Sequence, residues 1–139
     1  GRAQLQKCHR FNARRGQIAA VYNAAFAHVP ELITPTVPDD VESAWHLYVL
    51  QLDLSRLRIG RDEFIQRLKA EHVGTSVHFI PVHMHPYYRD ALRYEREQLP
   101  NASALFDRIV SLPIYPRMTD ADVTHVVEAV TDVVSAVRR

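Results

Sequence analysis

A stripe of valines near the C-terminus constrains the fold of this chain more than any other feature of its sequence. The valines recur at spacings of three and four residues, the period of one helical face: Val123, Val126, Val127, Val130, Val133, Val134 and Val137. Valine is a poor helix former, so such a helix depends on tertiary packing for its stability. Thr119 and Asp122 are spaced for a capping box at its start. We therefore predict a C-terminal helix packed against a β-sheet.

Three further helices are predicted upstream of this one. Apolar residues from Leu5 to Phe26 follow helical spacing with no capping residue ahead of them, which indicates one long helix that begins abruptly. A second helix is predicted from Asp62, with Gly74 as its C-terminal cap. A third is predicted from Asn101, which can act as its N-cap.

The predicted strands lie between these helices. Residues 45–53 are aromatic and aliphatic without a breaker and predict a central strand. Residues 75–82 alternate and predict a second strand, and the proline-flanked residues 112–116 predict a third at a sheet edge. Three prolines within residues 30–44 indicate a connecting loop. The pattern predicts an α+β fold, a short sheet covered by helices.

Composition excludes several functional classes. A chain of 139 residues with 47% apolar residues is sized for one globular unit, and its net charge of +1 gives no reason to expect a nucleic-acid partner. No apolar run is long enough to cross a membrane, so we expect a soluble, cytoplasmic protein without a membrane partner. The single cysteine, Cys8, is expected to be a small buried hydrophobe in a reducing compartment. Only four glycines are present, which is too few for a glycine-rich phosphate loop.

Three of the eight histidines lie within eight residues, which raises the possibility of a metal site. His83 and His85 are two apart in an extended stretch and could chelate zinc, but a zinc site in an enzyme needs a third ligand in a suitable geometry. An HExxH motif and a Cys/His framework are both absent, so we favour structural or substrate-contacting roles and predict no metal. Zinc stays as an alternative that elemental analysis would decide.

Several stretches together resemble the C-terminal small domain of the DegT/StrS family of sugar aminotransferases. The most specific is TSVHFIPVHMHPYYR at residues 75–89, which resembles the family pattern T-x-V-H-Y-x-P-x-H-x-x-P-Y-Y-R. Residues 4–15 resemble the family's long connecting helix, residues 43–48 its first small-domain strand and residues 61–68 the helix that follows. LPNA at 99–102 and SLPIYPRMT at 111–119 continue in family order. Phe79 stands where the family commonly has Tyr.

The resemblance implies a fold and an activity. The fold would be the small C-terminal domain of the aspartate-aminotransferase (type I pyridoxal-phosphate, PLP) fold, with residues 1–29 as a connecting helix and residues 30–139 as the small domain. The full-length enzyme would use PLP to move an amino group from glutamate to a nucleotide-linked keto-sugar, of the kind aminated at C4 of a UDP-sugar for surface glycans. It would be a cytoplasmic homodimer.

The resemblance also implies that the catalytic machinery lies outside this chain. Lys7 and Lys69 are the only lysines, and neither matches the family's PLP-binding lysine motif. We therefore expect a missing large domain, no catalytic residue in this chain and no cofactor bound to it alone. The chain would supply one wall of the substrate cleft, with His83 first and then His78 and Tyr87 as substrate-binding residues. For His78, a structural role in the strand is equally compatible with the sequence.

A non-enzymatic alternative is a free-standing binding domain that shares this fold. The two hypotheses predict different starts for the reading frame that encodes this chain. A reading frame that extends far upstream of Gly1 favours the aminotransferase, and one that begins near Gly1 favours the binding domain.

Overall fold

Four helices and a three-stranded sheet make up the computed structural model, which describes residues 1–139. In chain order the elements are α1 (Arg2–Phe26), β1 (Leu32–Ile33), β2 (Tyr48–Leu52), α2 (Arg61–Ala70), α3 (Pro100–Phe106), β3 (Ile109–Leu112) and α4 (Asp120–Val137). Short helical turns at Val82–Met84, Tyr87–Ala91 and Arg96–Gln98 lie between α2 and α3. The predicted α+β class is confirmed.

The sheet is antiparallel, with β2 between β1 and β3. Tyr48 pairs with Leu112 at one end of the β2–β3 ladder, and Leu52 pairs with Leu32 on the other side of β2. Tyr48, Leu50 and Leu52 are buried, as expected for alternate residues that face one packed layer. The prediction of a central strand within residues 45–53 is confirmed, although the strand is only five residues long.

The valine stripe of α4 forms one side of the hydrophobic core. Six of its seven valines are buried, together with Phe64 and Leu68 of α2 and with Ile18, Tyr22 and Phe26 of α1. Each of these side chains contributes on the order of 1.5–3 kcal/mol when fully buried, which compensates for the low helix propensity of valine. The predicted capping box is also confirmed: Asp122 N donates to Thr119 Oγ1 at 3.1 Å and Thr119 N donates to Asp122 Oδ2 at 2.7 Å.

Two buried phenols connect α1 to the sheet. The Tyr22 hydroxyl donates to Pro113 O at 2.8 Å, and the Tyr48 hydroxyl donates to Asn23 Oδ1 at 2.7 Å. The two rings meet edge to face, with centroids 5.0 Å apart. Burial raises the pKa of both phenols above the usual value for tyrosine.

An ion pair links the start of the sheet to the residue that follows α4. Glu31, between α1 and β1, is buried with 4% of its side chain exposed, and it accepts from Arg138 at two distances, 2.6 Å from Nε to Oε1 and 3.1 Å from Nη2 to Oε2. The Arg138 side chain is 51% exposed. This pair joins the first strand to the end of α4.

The predicted strand at residues 75–82 is not formed. Only Ser76 pairs with the sheet, through a single bridge to Ser111 on the outer edge of β3. Beyond it Phe79 and Ile80 are exposed, and the chain enters a helical turn at Val82. Alternating β-branched residues make a strand only where the backbone continues a hydrogen-bonded ladder, and beyond Ser76 this stretch makes no further backbone hydrogen bond to β3.

The predicted ends of one strand and two helices also differ from those in the structure. The third strand precedes residues 113–116, because Pro113 and Pro116 cannot donate to a ladder. Helix α2 ends at Ala70, well before Gly74, and Pro100 rather than Asn101 begins α3.

One side chain on α1, that of Cys8, also differs from expectation. Cys8 is exposed, because the first turns of α1 extend away from the core. Ile18 is buried against the sheet and α4 and therefore belongs to the core of this chain.

Candidate functional site

The predicted substrate-facing residues all lie on residues 76–89, which we call the histidine segment. It leaves the edge of β3 at the Ser76–Ser111 bridge, where the backbone N–H groups donate in both directions at 2.8 and 3.2 Å. It then turns twice, at Val82–Met84 and at Tyr87–Ala91. Large apolar side chains on the segment are exposed, including Phe79 at 75%. A surface of this kind is typical of a region that contacts another molecule or domain.

His78 is anchored to the sheet edge through one ring nitrogen. Its Nδ1 lies 2.9 Å from Ser111 Oγ and 3.3 Å from Ser76 Oγ, and the ring is half-buried against the edge of Phe79. Its Nε2 makes no hydrogen bond within the chain. His78 therefore combines a hydrogen bond to the sheet edge with one nitrogen that has no partner in the chain.

His83 is more deeply placed than the sequence suggests. It is 5% exposed, and its Nε2 lies 3.0 Å from the Ser103 hydroxyl of α3, which in turn lies 2.8 Å from the Arg96 carbonyl oxygen. The other ring nitrogen, Nδ1, makes no hydrogen bond within the chain. The ring also lines a cavity of about 410 Å³ together with Met84, Arg89, Tyr94, Glu95, Arg96 and Glu97.

The two guanidinium groups that line this cavity are already paired within the chain. Arg89 contacts Asp90 at 2.7 Å, and hydrogen bonding from that guanidinium lowers the pKa of the Asp90 carboxyl. Arg96 contacts Asp107 at 2.5 Å. Both pairs are exposed, so they fix side-chain positions more than they stabilise the fold.

Tyr87 is the most accessible of the three predicted residues. It is 68% exposed, its hydroxyl makes no hydrogen bond within the chain, and its ring contacts Tyr88 edge to face at 5.4 Å. No hydrogen bond joins any two of His78, His83 and Tyr87. The structure places them on one segment but on different parts of its surface.

The partners that hold the two histidines were missed by sequence reasoning. Ser103 and Ser111 lie on α3 and β3, far from the segment in the chain, and an isolated serine carries no signal of its partner. The only available clue was position, because Ser111 interrupts the otherwise apolar strand sequence IVSL.

A cluster suited to metal binding is not present: no three His, Cys, Asp or Glu side chains come together in a suitable arrangement. Nor does any helix combine the length and the apolar character needed to cross a bilayer.

The sequence matches the DegT/DnrJ/EryC1/StrS aminotransferase family over residues 1–131. The chain belongs to this family. It is 50% identical to the spore coat polysaccharide biosynthesis protein SpsC of Bacillus subtilis over 135 residues, covering 96% of this chain and 35% of SpsC. It is 49% identical to protein MJ1066 of Methanocaldococcus jannaschii over 132 residues, covering 95% of this chain and 34% of that protein. The chain thus spans about a third of the length of the curated relatives it matches.

Solved structures confirm the fold of a DegT/StrS small domain. The PLP form of the sugar aminotransferase Spr1654 from Streptococcus pneumoniae superposes with a TM-score of 0.90 at 26% identity, covering 100% of this chain and 35% of that chain. The predicted small domain of the type I PLP aminotransferase fold is therefore confirmed, and PLP is the cofactor found in a family member.

The residues of this chain do not by themselves fit a PLP site. Lys69 is exposed on α2, and Lys7 is exposed on the first turns of α1. Lys7 lines a cavity of about 540 Å³ with Arg10, Arg14 and Arg117, and no acidic residue lies there to pair with a pyridine nitrogen.

Proposed function

We propose that this chain is the small-domain part of a PLP-dependent aminotransferase that moves an amino group from glutamate to a nucleotide-linked keto-sugar for surface glycan synthesis. Family membership over residues 1–131 is the observation that carries this proposal. The name of SpsC supports the glycan assignment, since that relative is a spore coat polysaccharide biosynthesis protein.

We further propose that the complete protein contains a large domain, with residues 1–29 as the connection and residues 30–139 as the small domain, and that it works in the cytoplasm as a homodimer. Two exposed surfaces support a covering partner. Leu5 at 72% exposure lies on the first turns of α1, and Phe79 and Val82 at 75% and 60% lie on the histidine segment. Apolar side chains in such numbers are favourable at an interface and unfavourable in water.

The histidine segment forms, in this proposal, one wall of the substrate cleft. His83 Nδ1, His78 Nε2 and the Tyr87 hydroxyl are polar atoms with no partner in the chain, on a segment that also carries exposed apolar side chains. Ligand sites in proteins typically combine an apolar surface with a few polar groups that fix orientation. These three atoms can each make one hydrogen bond to a nucleotide-sugar.

PLP would be held by residues outside this chain, since neither lysine here fits its site. When bound, the cofactor supplies the electron sink for amino transfer. The role of this chain is then binding and orientation of the sugar, with no catalytic residue of its own.

The half-reactions of the full-length enzyme test the proposal. His83→Ala should slow the sugar half-reaction and leave the glutamate half-reaction unchanged, because the lost hydrogen bond touches only the sugar substrate. Loss of one bond to a neutral partner costs about 0.5–1.5 kcal/mol, or up to roughly tenfold in affinity. Stopped-flow absorbance of the bound cofactor measures each half-reaction separately.

His28→Ala is the matched control, because His28 is exposed and makes no hydrogen bond. It should leave both half-reactions unchanged. Equal slowing of both half-reactions by His83→Ala, or loss of the cofactor absorbance, would contradict the substrate-wall assignment and assign His83 to folding.

A further inference from the structure

The hydrogen bonds around Ser103 determine which nitrogen of His83 carries the proton. The Ser103 hydroxyl has one proton, and the Arg96 carbonyl oxygen at 2.8 Å can only accept. The serine therefore donates to Arg96 and presents a lone pair to His83 Nε2 at 3.0 Å. A nitrogen that faces a lone pair must itself be the donor, so Nε2 carries the proton of the neutral ring.

The other nitrogen of His83 is consequently an acceptor without a partner. Nδ1 makes no hydrogen bond within the chain, yet it is not sealed from solvent. The partnerless side-chain nitrogen and oxygen atoms that are fully buried belong to other residues, namely Arg15, Thr75 and Arg108. His83 thus carries one lone pair without a partner, on a ring that lines the cavity of about 410 Å³.

The charges lining that cavity select against an anion. Its two guanidinium groups, on Arg89 and Arg96, are both engaged by carboxylates of Asp90 and Asp107. Glu95 and Glu97 add further negative charge to the wall. A phosphate placed here would meet the carboxylates of Glu95 and Glu97 and two guanidinium groups already bound to carboxylates, whereas a hydroxyl group would meet the lone pair of Nδ1.

We infer that Ser103 is a positioning residue that fixes His83 as a hydrogen-bond acceptor, so that this cavity takes a hydroxyl of the sugar and not the phosphates of the nucleotide-sugar. This inference rests on the proposed function for the identity of the ligand. The Ser103–His83 bond itself does not depend on that function.

Nitrogen-15 NMR of the 139-residue chain at about pH 8.5, where an imidazole is neutral, tests the bond directly. His83 should show a protonated Nε2 with an observable, slowly exchanging proton, and an unprotonated Nδ1. His83→Ala assigns the signals by their disappearance. A proton on Nδ1 in the wild-type chain would overturn the inference.

Variants of Ser103 separate positioning from general stability. Ser103→Ala should abolish the slowly exchanging Nε2 proton, because no lone pair then faces it, while Ser103→Thr keeps a hydroxyl and should retain the signal. A Nε2 proton that persists unchanged in folded Ser103→Ala would also overturn the inference. If either variant fails to fold, as judged by circular dichroism, the wild-type spectrum alone decides.

Ligand probes test the selection against anions. Methyl α-D-glucopyranoside, a neutral polyhydroxyl compound, should shift the Nδ1 resonance of His83, and inorganic phosphate at the same concentration should not. A shift with phosphate, or none with the glucoside, would refute the hydroxyl assignment. An intact Ser103–His83 bond combined with a sugar half-reaction unaffected by His83→Ala would instead refute the proposed function.

Discussion

The ion pair between Glu31 and Arg138 allows a sharp test of how burial changes the strength of a salt bridge. Arg138→Ala leaves the Glu31 carboxylate, 4% exposed, without its cation. Hydrogen bonds to charged groups contribute about 1.5–3 kcal/mol, and breaking a fully buried pair costs about 3–5 kcal/mol. Because the Arg138 side chain is half exposed, we expect a loss near the lower range, about 1.5–3 kcal/mol in the free energy of unfolding.

The chain contains a matched control for this experiment. Arg67 and Glu63 form a pair at 2.7 Å one turn apart on α2, and the Arg67 side chain is 44% exposed, close to the 51% of Arg138. The difference lies in the carboxylate, since Glu63 is 53% exposed. Arg67→Ala should therefore cost only about 0.3–0.5 kcal/mol.

Urea unfolding followed by circular dichroism at neutral pH measures both losses. Glu31→Gln combined with Arg138→Ala should recover part of the stability lost in the single arginine variant, because a neutral amide is easier to bury than an unpaired carboxylate. Equal losses for Arg138→Ala and Arg67→Ala would refute the argument from burial.

Three further predictions concern the same chain. Burial raises the pKa of the Tyr22 and Tyr48 phenols, so both stay protonated in the folded chain at a pH where the unfolded chain loses these protons. Their contribution to the free energy of unfolding is complete below about pH 10 and falls above it by about 1.4 kcal/mol per pH unit for each phenol. Tyr48→Phe should therefore halve the slope of the unfolding free energy against pH. Mixing the chain with PLP and reducing with borohydride should leave both lysines unmodified at stoichiometric level by mass spectrometry; one specific pyridoxyl-lysine adduct would contradict this. Light scattering should detect self-association of the chain through its exposed apolar side chains. The double variant Leu5→Ser with Phe79→Ser should weaken this association. A monomer at high concentration would count against an interface at these two residues.

The parts of the fold that were predictable are those governed by local periodicity. The valine stripe of α4, its Thr119 cap and the central strand all follow from spacing and from side chains close in the chain. Residues 75–82 show the limit of such reasoning. Their alternation satisfies the pattern of a strand, but a strand also needs a partner, and only Ser76 finds one.

The hydrogen-bond partners of the candidate residues could not be predicted from the sequence. The histidine segment stood out because of its residue types, and its role in substrate binding stays a prediction. The buried His83 is hydrogen-bonded to Ser103, which lies twenty residues away in the chain, beyond the turn at Arg96–Gln98. Hydrogen-bond partners that are far apart in the chain are not marked by any repeating pattern in the sequence.

Helix α1 is buried along its C-terminal part and exposed along its N-terminal part, which affects how its exposed end can move. Its C-terminal half is embedded through Ile18, Tyr22 and Phe26, whereas every residue of its first nine is exposed. Arg14 sits between these halves and is held by Asp120 and the Met118 carbonyl oxygen. At 1.5 Å per residue the free portion projects roughly 13 Å, so a tilt of about 10° at the core moves its tip by about 2 Å. The exposed end of this helix therefore moves further than the core residues when the helix tilts.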